Sequence, residues 1–188
     1  MSIELMIDIE TMATTVDAYI LQIAAVPFDM STGQIGDEAS RFNRHLRAKG
    51  QEDRRTDLDT FVWWMDQPKE AQQAVFRPRN RFDIRQVLSE LATFYVNLGH
   101  PVIWSNGPEF DSAILKHAYE QNDIPCPWHH RKVRDLRTAK DLLPVSIRRP
   151  EPDTTPVFHD PEVDCIEQIR DLAWATNGSE MRRTARMV

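Results

Sequence analysis

Two carboxylates one residue apart, Asp8 and Glu10, interrupt the apolar run "LMIDIETM" at residues 5–12. No other feature constrains the fold of this chain as tightly. Side chains on a strand alternate between faces, so both acids point the same way. Two like charges side by side on a mostly buried strand raise each other's pKa and cost stability. A fold that keeps this strand needs something at its end that offsets the repulsion.

The 188 residues suit a single domain, 1–188, with a sizeable core. With 41% apolar and 28% charged residues, the composition is that of a soluble globular protein. No run of about 18 apolar residues exists, so no membrane partner is expected. Met1-Ser2 leads straight into a candidate strand without the basic-then-apolar order of a signal peptide. Cys126 and Cys165 form no metal-spacing motif and read as reduced thiols. A cytoplasmic location is the expectation. The net charge of −6 argues against a nonspecific phosphate-gripping binder. It leaves room for an enzyme with an acidic metal site and a basic rim, and basic residues do cluster in "RPRNR" (77–81) and "RKVRDLR" (131–137).

Strands are expected over 3–10, 19–29 and 40–46, with a Ser/Thr/Gly turn at 31–37 and a charged loop over 47–57. Residues 58–76 read as helix, broken or restarted at Pro68. The clearest helix is 83–99: Ile84, Val87, Leu88, Leu91, Phe94 and Tyr95 recur at three- and four-residue spacing, and Gly99 suits its end. A buried strand (101–106), a helix opening with Pro108 and Glu109 (108–123), and a short strand running into a helix (133–144) follow. Three prolines make 145–157 an extended loop. The last helix starts at Asp160-Pro161, with Val163, Ile166, Ile169 and Ala173 as its buried stripe. Strands first, then helices alternating with strands, predict an α/β sandwich on a mixed sheet.

Two further acids sit beside residues expected to be buried: Asp111 in the first turn of one helix and Asp164 in the first turns of the last. His159 precedes Asp164 by five residues. Hard oxygen ligands of this kind suit Mg²⁺ or Mn²⁺. Two such ions clamp the attacking and leaving oxygens of a phosphodiester, and a histidine takes the proton from water. Each residue alone also has an ordinary structural explanation; the ordered set is what points to hydrolysis.

The set resembles the DEDD 3′–5′ exonucleases, relatives of polymerase proofreading subunits, oligoribonuclease and RNase T. Their three motifs appear in order: the D-x-E strand as "IDIET", Asn-x-x-x-Phe-Asp as "SNGPEFD" with Asn106, Phe110 and Asp111, and the His-x4-Asp of the histidine-type branch as "HDPEVD". A narrower likeness, carried by "VWWMDQPKEA" and "PWHHRKVRDLRT", is to a phage and bacterial sub-branch that includes the phage DexA type, exonuclease VIII-like proteins and a mycobacterial exoribonuclease. The resemblance implies an RNase H-like α/β fold with a central mixed five-stranded sheet flanked by helices. It also implies two Mg²⁺ or Mn²⁺ ions on Asp8, Glu10, Asp111 and Asp164, with His159 as general base. The expected substrate is the 3′ end of single-stranded DNA, with RNA as the alternative and an inactive nucleic-acid-binding module as a second. Relatives are often homodimers.

Thr11 and Met12 should meet the terminal nucleotide, near Asn106 and Phe110. Trp63 and Trp64 are adjacent, so only one can face the substrate; Trp64 is the candidate for stacking on a base. Trp128 could face substrate or an interface. Arg134 and Arg137 straddle Asp135; Arg134 is the candidate for reaching phosphate, and Asp135 reads as structural. Where relatives often have small residues between the histidine and the aspartate, this chain has Asp160, Pro161 and Glu162, which adds charge beside the site. The loop before His159 is expected to let the histidine swing in.

Overall fold

The run that carries Asp8 and Glu10 becomes β1 (Ile3–Thr11), paired antiparallel along its length with β2 (Ile20–Asp29). The computed structural model that shows this describes residues 3–107, 109–142 and 159–185, with side chains to residue 176 in the last stretch. The proline-bearing loop at 145–157 lies outside the described residues. All ten residues of β2 are buried, as a strand covered on both faces requires. β3 (Phe42–Leu46) continues antiparallel, and β4 (Arg81–Phe82) adds in parallel beyond it. On the far side of β1 lie β5 (Ile103–Ser105) and β6 (Val133–Asp135), both parallel to their inner neighbours. The order is β4-β3-β2-β1-β5-β6.

The sheet thus has six strands rather than five. β4 is the addition, and two residues leave no alternation to read. The Arg47 N–H donates to the Phe82 carbonyl at 2.9 Å, and the Arg81 guanidinium adds bonds to the carbonyls of Leu46 and Val75 at 3.0 and 2.8 Å.

Pro68 divides the 58–76 segment into α1 (Leu58–Asp66) and α2 (Lys69–Phe76). α3 (Ile84–Asn97) opens where the Asp83 carboxylate accepts from the Arg85 N–H. α4 (Asp111–Gln121), α5 (Leu136–Leu142) and α6 (Pro161–Ala185) complete the described helices. Asp160 caps α6 by accepting from the Glu162 N–H at 3.1 Å.

The two faces of β1 divide the core. Leu5, Ile7 and Ile9 join α3 and α4 in the larger cluster, with Ile84, Leu88, Leu91, Ile114 and Leu115. Met6 faces the other way, against Leu136 of α5 and Cys165, Ile169 and Leu172 of α6. Alternation therefore puts Asp8 and Glu10 on the α6 face. The buried stripe of α6 is led by Cys165, Ile169 and Leu172, while Val163 is only half-buried. Trp128 is core, not substrate-facing: it is buried between Tyr95 and Tyr119, with ring centroids at 5.8 and 5.6 Å.

The turn after β2 seats α6 on the sheet. Gly33 sits there at φ +72°, and a Cβ on it would lie 2.6 Å from Ala173 Cβ. A side chain is thus disfavoured both by the left-handed backbone and by the approach of the helix. Gly33→Ala should lower stability by about 1–3 kcal/mol, read as a thermal midpoint reduced by several degrees; an unchanged midpoint would show that α6 is seated elsewhere.

Candidate active site

β5 pairs with β1 only at Leu5–Ile103 and Met6–Trp104. Beyond Met6 the two strands part, and the edge of β1 needs another partner. Asp111, at the start of α4, supplies it: its Oδ1 accepts from the Ile9 N–H at 3.1 Å. The bond places a carboxylate from α4 beside the two on β1. α6 brings the fourth. Gln168 donates from Nε2 to Asp8 Oδ1 at 2.7 Å, and Asp164 lies one turn earlier on the same helix.

His159 stands just before α6 at φ +67°, a left-handed conformation that costs a non-glycine residue on the order of 1 kcal/mol or more. Asp164 Oδ2 holds it there by accepting from its backbone N–H at 2.9 Å. The ring Nδ1 lies 4.0 Å from Glu10 Oε1, and ligand atoms of Glu10, His159 and Asp164 all fall within 4.8 Å of one another. The imidazole therefore already faces the acids, and no swing is needed to bring it there. Its ring packs edge-on against Trp63, with centroids 4.8 Å apart.

All five residues line one cleft of about 940 Å³, together with Thr11, Trp63, Asn106, Phe110 and Arg137. The ion pairs of the described residues give Asp8, Glu10, Asp111 and Asp164 no lysine or arginine partner. Burial and mutual repulsion act instead. Desolvation first, then Asp111, Glu10 and Asp164, push the Asp8 carboxyl well up. Glu10 is pushed well up by desolvation, then by Asp164, Asp111 and Asp160. Burial takes Asp111 to about 7 despite the Ile9 N–H, and Asp164 to about 6. The same desolvation lowers His159, which favours its neutral form. Four crowded carboxylates without an ion-paired lysine or arginine, eased only in part by the Arg137 charge near Asp111, are a donor set that fits divalent cations.

The additional acids of "HDPEVD" do little harm. Glu162 turns away to Arg41 and Asn43, at 3.0 and 2.9 Å. Asp160 is used as a helix cap, although its charge still raises Glu10 and Asp164.

Three expected substrate residues are placed elsewhere. Trp64 is 1% exposed, and its indole N–H donates to the Thr11 carbonyl at 3.0 Å; no base can stack on it, and Trp63 takes the cleft position. Met12 packs on the Leu21, Trp64 and Val75 cluster. Arg134 folds back onto the carbonyls of Arg131 and Val133, whereas Arg137 reaches the cleft and donates to the Asn106 carbonyl at 3.2 Å. Asp135 has the structural role expected, accepting from the backbone N–H groups of Arg137 and Thr138 at the start of α5. Gln168 escaped the sequence reading, although its spacing of four from Asp164 puts both on one helix face.

These shifts fix the sign of a pH effect. A carboxyl whose folded pKa is raised binds more protons folded than unfolded, so the metal-free protein loses stability from this site as pH rises through about 6 to 7. Cations at the site should reverse that loss. At 100-fold excess over Kd, Mg²⁺ or Mn²⁺ should add about 2.7 kcal/mol, a midpoint gain of roughly 5–10 °C at pH about 8. The gain should shrink towards pH about 5 as protons compete for the same oxygens. A midpoint indifferent to millimolar metal at the higher pH would contradict the assignment.

A family described as the 3′–5′ exoribonuclease Rv2179c-like domain matches residues 3–174. No curated protein matches the chain. Among solved structures, the zinc-bound E. coli exonuclease I–ssDNA complex aligns over 97% of this chain and 42% of its own, with a TM-score of 0.70 at 17% identity. The nuclease domain of 3′hExo, a DEDDh family member bound to rAMP, aligns over 95% of this chain and 92% of its own, with a TM-score of 0.62 at 13% identity. This chain spans about two fifths of exonuclease I, and at such identities the likeness is one of fold. With the family match covering nearly its whole length, the chain belongs to the Rv2179c-like 3′–5′ exoribonuclease domain family.

Proposed function

We propose that this protein is a metal-dependent 3′–5′ exonuclease that removes nucleoside 5′-monophosphates from the 3′ end of single-stranded nucleic acid, with RNA as the main substrate and DNA as the second reading. The observation that carries the proposal is the convergence of Asp8, Glu10, Asp111 and Asp164 beside His159 in one cleft, with no lysine or arginine ion-paired to any of the four among the described residues. The choice of RNA over the DNA first expected rests on the family's described exoribonuclease activity; the likeness to exonuclease I on single-stranded DNA keeps the second reading in view.

The four carboxylates would hold two Mg²⁺ or Mn²⁺ ions, which supply the positive charge that acidifies water and offsets the charge of the phosphate. His159 takes the proton from the attacking water at its unprotonated ring nitrogen. Glu10, 4.0 Å from Nδ1, stabilises the imidazolium that results. Water oxygen bonds to phosphorus, the P–O3′ bond breaks, and the departing 3′ oxygen gains a proton from solvent. Gln168 holds Asp8 in place through its 2.7 Å hydrogen bond. Thr11, Asn106 and Phe110 receive the terminal nucleotide, with Trp63 beside its base and Arg137 near phosphate.

Asp8→Asn should lower metal-dependent nucleotide release at least about a hundredfold. It should leave the metal-free protein at least as stable, because one buried charge is gone. His159→Ala should cost about 10²–10⁴-fold in kcat. Both are read by digesting matched single-stranded RNA and DNA and identifying the released phosphate; undiminished release from Asp8→Asn would refute the mechanism. Faster digestion of DNA than RNA would favour the second reading.

A further inference from the structure

Outside the cleft, α1 exposes an apolar surface that a solitary soluble domain rarely keeps. Leu58 is 76% exposed, Met65 57%, and Phe61 and Val62 close to half. Part of this surface forms one wall of a groove of about 610 Å³ between α1 and α2. Phe61, Met65 and Phe76 give it apolar and aromatic faces, and Lys69 and Arg77 give it positive charge. Among the described residues no carboxylate lines it, in a chain whose net charge is −6; Asp66 and Glu70 of the same helices lie outside the lining.

The groove and the cleft lie on either side of α1, whose Thr60 and Trp63 line the cleft and whose Phe61 and Met65 line the groove, and a row of rings crosses between them. His159 meets Trp63 at 4.8 Å, Trp63 meets Trp64 at 5.1 Å, and Trp64 meets Phe76 at 5.2 Å, all edge to face. The row leads from the proton acceptor, past the buried Trp64, to the groove floor.

We infer that this groove binds the nucleotides upstream of the one being removed, as part of the same single strand whose 3′ end enters the cleft. The inference rests on the exonuclease reading and extends it to a second contact region. Aromatic faces suit bases of any sequence, because each base has a face to stack, and lysine and arginine suit the backbone between them. The cleft itself is acidic, so a strand held there alone would be repelled along its phosphates wherever no cation intervenes. A basic, aromatic surface next to the cleft offsets that repulsion. Charge favours a nucleic acid over a second copy of this acidic chain.

Binding is read in metal-free buffer, where no cleavage occurs, by fluorescence anisotropy of 5′-labelled RNA, comparing an octanucleotide with a dinucleotide. Wild type should bind the octanucleotide more tightly. The pair Lys69→Glu with Arg77→Glu, and separately Phe61→Ala, should each weaken octanucleotide binding about tenfold, with a smaller effect on the dinucleotide. These side chains are exposed, and an unchanged thermal midpoint confirms that each variant is folded. Equal affinity for the two lengths in wild type overturns the inference. So does an octanucleotide affinity that the variants leave intact, or a wild-type dimer in sedimentation that Phe61→Ala dissociates. Digestion by wild type with Mn²⁺ separates the two readings. Length-dependent binding lost in the variants, without any digestion by wild type, would leave the groove standing and the exonuclease reading fallen. Digestion with no length dependence would do the reverse.

Discussion

The Ile9 N–H is the point on which the site depends. β1 and β5 share only two residue pairs before they diverge, and a buried backbone donor left without a partner costs about 1–3 kcal/mol. The donor is met by a side chain instead of a strand, and that side chain is the Asp111 carboxylate. A sheet that stayed zipped would have no room for α4 to start here, and no third carboxylate beside the first two. The cleft exists because two parallel strands part early.

The same economy governs α6. One helix supplies a cap at Asp160, a carboxylate at Asp164, a thiol at Cys165 packed under β1 and β2, and an amide at Gln168 that orients Asp8. Seating that helix on the sheet therefore places the Asp164 and Gln168 side chains as well as burying its apolar stripe, and Gly33 lets Ala173 approach closely there. The left-handed backbone of His159 fits the same pattern. Its conformation is unfavourable alone and is held by the hydrogen bond from its backbone N–H to the Asp164 carboxylate.

Electrostatics give the site a donor set that suits cations. Burial is the first cause that raises all four carboxyls, and repulsion from the others in the set adds to it at Asp8 and Glu10. Arg41 and Asn43 draw Glu162 out of the cluster, which keeps the charge near what the site needs. The tension first visible as two acids on one strand is a property of the whole cleft, and its release is what a bound cation would contribute.

Much of this was legible in the linear chain. The period-two run of β1 set Asp8 and Glu10 on one face, the period of α3 marked its core side, and the motif order named Asp111, His159 and Asp164. These are local properties, carried by spacing alone. Which tryptophan faces the cleft was not legible. Trp63 and Trp64 are both aromatic and adjacent, and only the packing of Trp64 under Thr11 against Phe76 decides between them. The choice of Arg137 over Arg134 likewise depends on how β6 turns into α5. β4 is two residues long and pairs with β3, some 35 residues away, and so short a strand has no alternation to announce it. The identity and order of the chemical groups could be read from the linear chain, because strand and helix periods are short-range. The tertiary structure decided which neighbours surround them, because burial and hydrogen-bond partners arise only when distant segments meet.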